Sequence, residues 1–141
     1  MNSVDNYNLQ RFVEAQDPVF EQVRAELQAG QKQSHWMWFI FPQLRGLGRS
    51  ATATRFAISS LAEAQAYGQH QILGPRLREC TRLVNGVERR SAREIFGYPD
   101  DLKFHSSMTL FAAAAPDEKS FQHALQRLFG GKPDPGTIER L

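Results

Sequence analysis

The chain contains one cysteine, Cys80, so an intramolecular disulfide framework is excluded. It also lacks a long apolar run. The longest, Trp36 to Pro42, falls far short of the roughly twenty residues a membrane span needs, so no membrane association is expected. The opening stretch MNSVDNYNLQRF has no basic segment followed by an apolar one, so no signal peptide is expected and the expected location is cytoplasmic. The four histidines, His35, His70, His105 and His123, are widely separated, and no H-E-x-x-H or Cys/His cluster occurs, so no metal site is expected. Neither G-x-G-x-x-G nor a P-loop is present, and no cofactor is expected. Strict apolar/polar alternation between hairpin turns is missing as well, which leaves a sheet without strands. Against these absences stand 141 residues with ten Phe, two Trp and three Tyr. That is enough apolar material for one folded core, and intrinsic disorder is excluded.

Helical signals run along the whole chain. Leu9, Phe12 and Val13 are spaced for a short first helix. Asp17-Pro18 reads as a cap followed by a first-turn proline, with Val19, Phe20, Val23 and Leu27 on one face and Gly30 as the stop. Ser34 is placed to cap the aromatic run HWMWFIF, which Pro42 ends; a buried strand over Trp36 to Phe41 is the rival reading. Ser60/Glu63 and Ser91/Glu94 fit capping boxes. Gly74-Pro75 opens a helix carrying Leu77, Cys80 and Val84, and Cys80 reads as a small buried apolar residue. A helix over Leu102 to Ala115 and one from Asp117 to Gly130 follow. The expected architecture is a single all-α domain over 1–141, with six to eight helices. Its ordered core spans about 8–130, and 131–141 is a turn-rich tail with one short helical turn.

The net charge is +2, but it is unevenly spread. Residues 1–30 carry −3, residues 31–93 carry +7 and residues 94–141 carry −2. Nearly all of the middle charge is arginine. Such a cluster attracts phosphate-bearing partners. The same residues also suit solvated helix faces paired with the acidic flanks, and the modest total charge favours that reading, making nucleic-acid binding an unlikely use.

Two segments are unusual: GQKQSHWMWFIFPQLRGL over 30–47 and YPDDLKFHSSMTLF over 98–111. With NLQRFVEAQ near the start and EAQAYGQHQILGPRLREC in the middle, they make the chain similar to the bacterial family catalogued as domain of unknown function 1810. The resemblance covers Leu9 to Phe129 and implies an all-helical fold. It implies no established activity, cofactor or catalytic residue. Some family members carry a calpastatin label. Calpastatin inhibitory regions are disordered, whereas this composition is that of a folded core.

In the first segment, Lys32, Ser34, His35 and Gln43 flank Trp36 and Trp38. Tryptophan can wall a site for a planar ligand, and histidine can act as acid, base or donor near neutral pH. The same pattern also describes a packed core element with a cap. In the second segment, Asp101 and His105 are four apart and share a helix face, as do Lys103 and Ser107. Ser106 or Ser107 beside an Asp–His pair is one way to build a nucleophile, but no G-x-S-x-G elbow is present. Small hydroxyl residues also serve as close-packing points between helices. GLGRS at 46–50 can cradle a phosphate through its backbone or simply turn, and the turn is favoured.

Three functions follow from these patterns. The first is a pocket for an anionic small molecule, nucleotide-like or phosphorylated, between segments 32–43 and 101–109. It would place Lys32, His35, Asp101, Lys103 and Ser107 around one cavity. The second is a protein-interaction adaptor, which would show a large exposed apolar patch and engage a protein partner. The third is weak nucleic-acid binding by the Arg-rich 76–93 segment.

Overall fold

The computed structural model describes residues 5–141. Among these there are ten helices and no strand. They are α1 (Gln10–Gln16), α2 (Phe20–Ala29), α3 (Met37–Ile40), α4 (Ala51–Arg55), α5 (Leu61–Gln69), α6 (Leu73–Asn85), α7 (Ala92–Phe96), α8 (Asp100–Ala114), α9 (Lys119–Phe129) and α10 (Pro135–Arg140). The all-helical single domain is as expected. The count exceeds six to eight because α4 follows a loop and α10 lies in the tail. Both are short helices begun by polar caps rather than by an apolar stripe: Ser50 Oγ accepts from the N–H of Ala53, and Asp134 accepts from that of Thr137. No helix among the described residues is long and apolar enough to cross a membrane.

Several starts match their sequence signals. Ser91 and Glu94 form a reciprocal capping box on α7. Ser60 caps α5, but Glu63 reaches back to the N–H and hydroxyl of Ser59 instead of to Ser60. Gly30 ends α2 at φ 75°, a left-handed conformation that glycine adopts without a Cβ clash. Two starts differ. α2 begins at Phe20, with Val19 at the cap position and no side-chain cap from Asp17. α6 begins at Leu73, before Gly74-Pro75, because His70 Nδ1 accepts from the N–H groups of Ile72 and Leu73.

The aromatic run is neither a strand nor a long helix. It forms the single turn α3, whose cap position is Trp36, and Ser34 does not cap it. The residues after it pair with a distant segment: the Ile58 N–H donates to Gln43 O, and the Arg45 N–H donates to Ile58 O. That isolated bridge between Leu44 and Ile58 fixes the backbone of Gln43.

α8 is the central element, packed against α3, α5, α7, α9 and α10. Its buried residues lie on more than one face, from Asp101 and Phe104 through Ser106 to Phe111. A helix packed against neighbours on several faces needs side chains small enough to let them approach, which accounts for its serines and threonine. Two of those hydroxyls bond back to carbonyls four residues earlier, Ser106 to Leu102 and Thr109 to His105. Around α8 run aromatic contacts. Phe104 meets Phe41 at 4.9 Å and Phe96 at 4.6 Å between centroids, while Tyr67 meets Phe111 at 5.3 Å and Phe12 at 5.1 Å. Cys80 is fully buried, and burial pushes its thiol up to about 12, so it packs as an apolar residue.

Candidate functional site

The two unusual segments meet at the start of α8. Lys32 Nζ lies 2.7 Å from Asp100 Oδ2, and Lys103 Nζ lies 3.1 Å from Asp100 Oδ1. One carboxylate therefore bridges two lysines from opposite segments. Each ammonium also sits over an indole: Lys32 over Trp36 at 5.1 Å and Lys103 over Trp38 at 4.7 Å. Lys32 further donates to the Ser34 carbonyl at 2.6 Å, and its side chain is 7% exposed. Two cations on one anion leave the cluster with excess positive charge, in a place too shielded for bulk water to screen fully.

Beside this cluster lies a cleft of about 370 Å³. That volume is in the range of small-molecule sites, roughly 300–1,000 Å³. Its polar groups are Gln43, Lys103, His105, Ser106 and Asp134. Its apolar and backbone walls are Leu47, Gly48, Pro99, Leu102 and Gly136. Gln43 and Lys103 also face a small enclosed void behind, shared with Met37, Trp38, Phe41, Ala53 and Phe56. Gly48 is required by closeness: a Cβ there would lie 2.6 Å from the Cβ of Ala53 and 3.0 Å from Gln43 Nε2. The 46–50 loop thus folds over the Gln43 side chain as a turn before α4, with Ser50 spent on the cap.

Not all polar groups of the cleft are free to act. Ser106 Oγ donates to Asp134 Oδ2 at 2.9 Å. Asp134 Oδ2 also accepts from the Thr137 N–H and hydroxyl at 3.1 and 2.7 Å. The Asp134 N–H donates to Thr109 Oγ1 at 2.8 Å. His105 stacks on Phe129 at 4.0 Å, and its Nε2 meets the Lys132 carbonyl at 2.7 Å. The Asp134 contacts anchor the start of α10 to α8, and those of His105 hold the end of α9 and Lys132 beside it. Gln43, by contrast, has no side-chain hydrogen bond among the described residues, and Lys103 Nζ donates only to Asp100.

Of the residues singled out in the sequence, Gln43, Lys103, His105 and Ser106 line the cleft, and Trp38 lines the void behind it. Lys32 joins them through Asp100. The others lie elsewhere. Ser34 and Trp36 belong to a closed network around Glu26, a buried residue of α2. Glu26 accepts from the N–H groups of Gln33 and Ser34, from the Ser34 hydroxyl, from Trp36 Nε1 and from Gln22. Burial opposes charge on Glu26, but those hydrogen bonds, led by the Ser34 hydroxyl, outweigh it and bring its pKa down to about 2. His35 is exposed. Asp101 is buried and turns toward Arg93, with Oδ2 3.7 Å from Nε, and does not bond His105. Ser107 is fully buried, and its hydroxyl has no partner among the described residues. Of the set expected around one cavity, only Lys103 lines the cleft: Asp101 and Ser107 point off other faces of α8, and Lys32 and His35 lie in the loop before α3.

Sequence reasoning missed Asp100, Leu47 and the whole C-terminal wall as parts of a site. A signal for the last was present: Asp134-Pro135 is a cap followed by a first-turn proline. In the Arg-rich segment, Arg76 pairs with Asp17, Arg78 and Arg82 approach Glu118, and Arg93 approaches Asp101.

Residues 6–141 match the family model described as protein of unknown function (DUF1810), and the chain belongs to that family. A search of the curated proteins gives no match. Among solved structures, the fold is similar to the conserved hypothetical protein Rv1873 from Mycobacterium tuberculosis. The two are 58% identical with a TM-score of 0.96, over 97% of this chain and 98% of that one.

Proposed function

We propose that this DUF1810 protein binds an anionic small molecule, nucleotide-like or phosphorylated, in the cleft between the 43–48 loop, the start of α8 and α10. One observation carries the reading. Gln43 and Lys103, one from each unusual segment, line the same cleft with hydrogen-bonding capacity that the protein leaves unused. Lys103, which shares the Asp100 carboxylate with Lys32, brings an ammonium to the cleft, and Leu47, Pro99 and Leu102 supply apolar walls. Binding fits better than nucleophilic catalysis, because Ser106 is engaged with Asp134 and His105 Nε2 with the Lys132 carbonyl.

The test is a thermal-shift series with AMP, ADP and ribose 5-phosphate on the wild-type protein and on Lys103→Met. A ligand at one hundred times its Kd stabilises the folded state by about 2.7 kcal/mol. The expected result is a rise in Tm that Lys103→Met abolishes while the unliganded Tm changes little. No rise with any of the three, or an equal rise in the variant, overturns the reading.

A further inference from the structure

The C-terminal helix contributes more to the cleft than a wall, and this inference rests on the proposed binding site. Asp134 lies at the cleft with its two carboxylate oxygens in different situations. Oδ2 accepts from the N–H and hydroxyl of Thr137 and from the Ser106 hydroxyl, whose one proton is shared with the Leu102 carbonyl. Oδ1 has no partner among the described residues, and it is not among the fully buried unpartnered atoms, so it retains contact with solvent. Three donors on Oδ2 already disperse the carboxylate charge. Oδ1 is then better matched to a neutral hydroxyl than to a second cation. Elsewhere the cleft is lined by Gln43, the Lys103 ammonium and the apolar side chains of Leu47, Pro99 and Leu102.

We infer that Asp134 accepts a hydrogen bond from a sugar hydroxyl of a nucleoside monophosphate-like ligand, so that the C-terminal helix determines specificity. Phosphate toward Lys103 and Gln43, ring against the apolar side chains and hydroxyl on Asp134 together engage the groups that the fold leaves open. The helix is positioned for this by polar contacts. Thr137 is its one buried residue, and Ile138 and Leu141 are half exposed, so hydrogen bonds through Asp134 set its place more than apolar burial does.

The experiment is titration calorimetry of the full chain with AMP and with 2′,3′-dideoxy-AMP, on wild type and on Asp134→Asn. In the variant the amide oxygen must stay on the Thr137 N–H to keep the cap, so the NH2 group takes the Oδ1 position and replaces an acceptor with a donor. Wild type is expected to bind AMP at least about tenfold more tightly than the dideoxy compound, as a hydrogen bond to a charged acceptor warrants. Asp134→Asn is expected to shrink that difference to about threefold or less, because its NH2 can donate to a hydroxyl oxygen but brings no carboxylate charge, and a circular-dichroism melt close to wild type shows that the variant is folded. Equal binding of the two compounds by wild type overturns the hydroxyl contact and leaves the anion site standing. An undiminished preference in Asp134→Asn assigns the hydroxyl to another residue and overturns the role of Asp134. Failure of wild type to bind either compound overturns this inference together with the binding site on which it rests.

Discussion

The segment from Gln31 to Leu47 serves two ends of the molecule in opposite ways. At its first half, Glu26 gathers Gln33, Ser34 and Trp36 into a network in which each polar group finds a partner and Trp36 is almost wholly buried. At its second half, Gln43 faces a cleft with its amide uncommitted, beside a lysine pair short of counter-charge. Both halves are rich in the residue types that make sites. The difference lies in satisfaction. A buried polar group with all its bonds made gains nothing from a ligand, whereas one left open beside a cavity does. Polar residues among aromatics therefore mark a corner that holds the fold as readily as one that binds.

The largest effect that would sharpen this contrast belongs to Trp36. Trp36→Ala removes a fully buried indole and its bond to Glu26, and should cost about 3–5 kcal/mol in denaturant unfolding. A cost under 1 kcal/mol would show that the closed corner does not hold the fold. Glu26 comes next, through pH. Its carboxyl is depressed from 4.5 to about 2, so its contribution is fully present above the unfolded value and is lost as pH falls from about 4.5 toward about 2. The shift corresponds to roughly 3 kcal/mol. Unfolding measured across that range should lose stability steeply in the wild type, and Glu26→Gln should flatten the slope. An unchanged slope breaks the assignment. The smallest effect is at His35, which is exposed and has no hydrogen bond among the described residues. His35→Ala should stay within about 0.5 kcal/mol of wild type and leave AMP affinity unaltered. If it abolished binding, the site would lie on the other side of the Lys32 corner.

Capping chemistry was legible from the sequence because it acts within four residues. Ser91-x-x-Glu94 and Gly30 give the same ends in the sequence and in the structure. Ser34 shows the limit of that reasoning. A serine before an apolar run reads as a cap until Glu26, eight residues earlier, turns out to take its hydroxyl. His105, Ser106 and Thr109 show the same limit at longer range, since their partners lie 25 to 28 residues away in the tail.

What the sequence determined by itself was the all-helical class, the single core and the identity of the two unusual segments, because periodicity, caps and composition are local quantities; that the two segments meet was decided by the tertiary structure. The tertiary structure alone decided which of their polar residues are spent and which are open. Asp100 bridges two lysines seventy-one positions apart in the chain, Asp134 brings α10 onto α8, and Gly48 closes over Gln43. Hydrogen-bond satisfaction is a property of neighbours in space. A chain read one residue at a time names the donors and acceptors without showing which of them have already met.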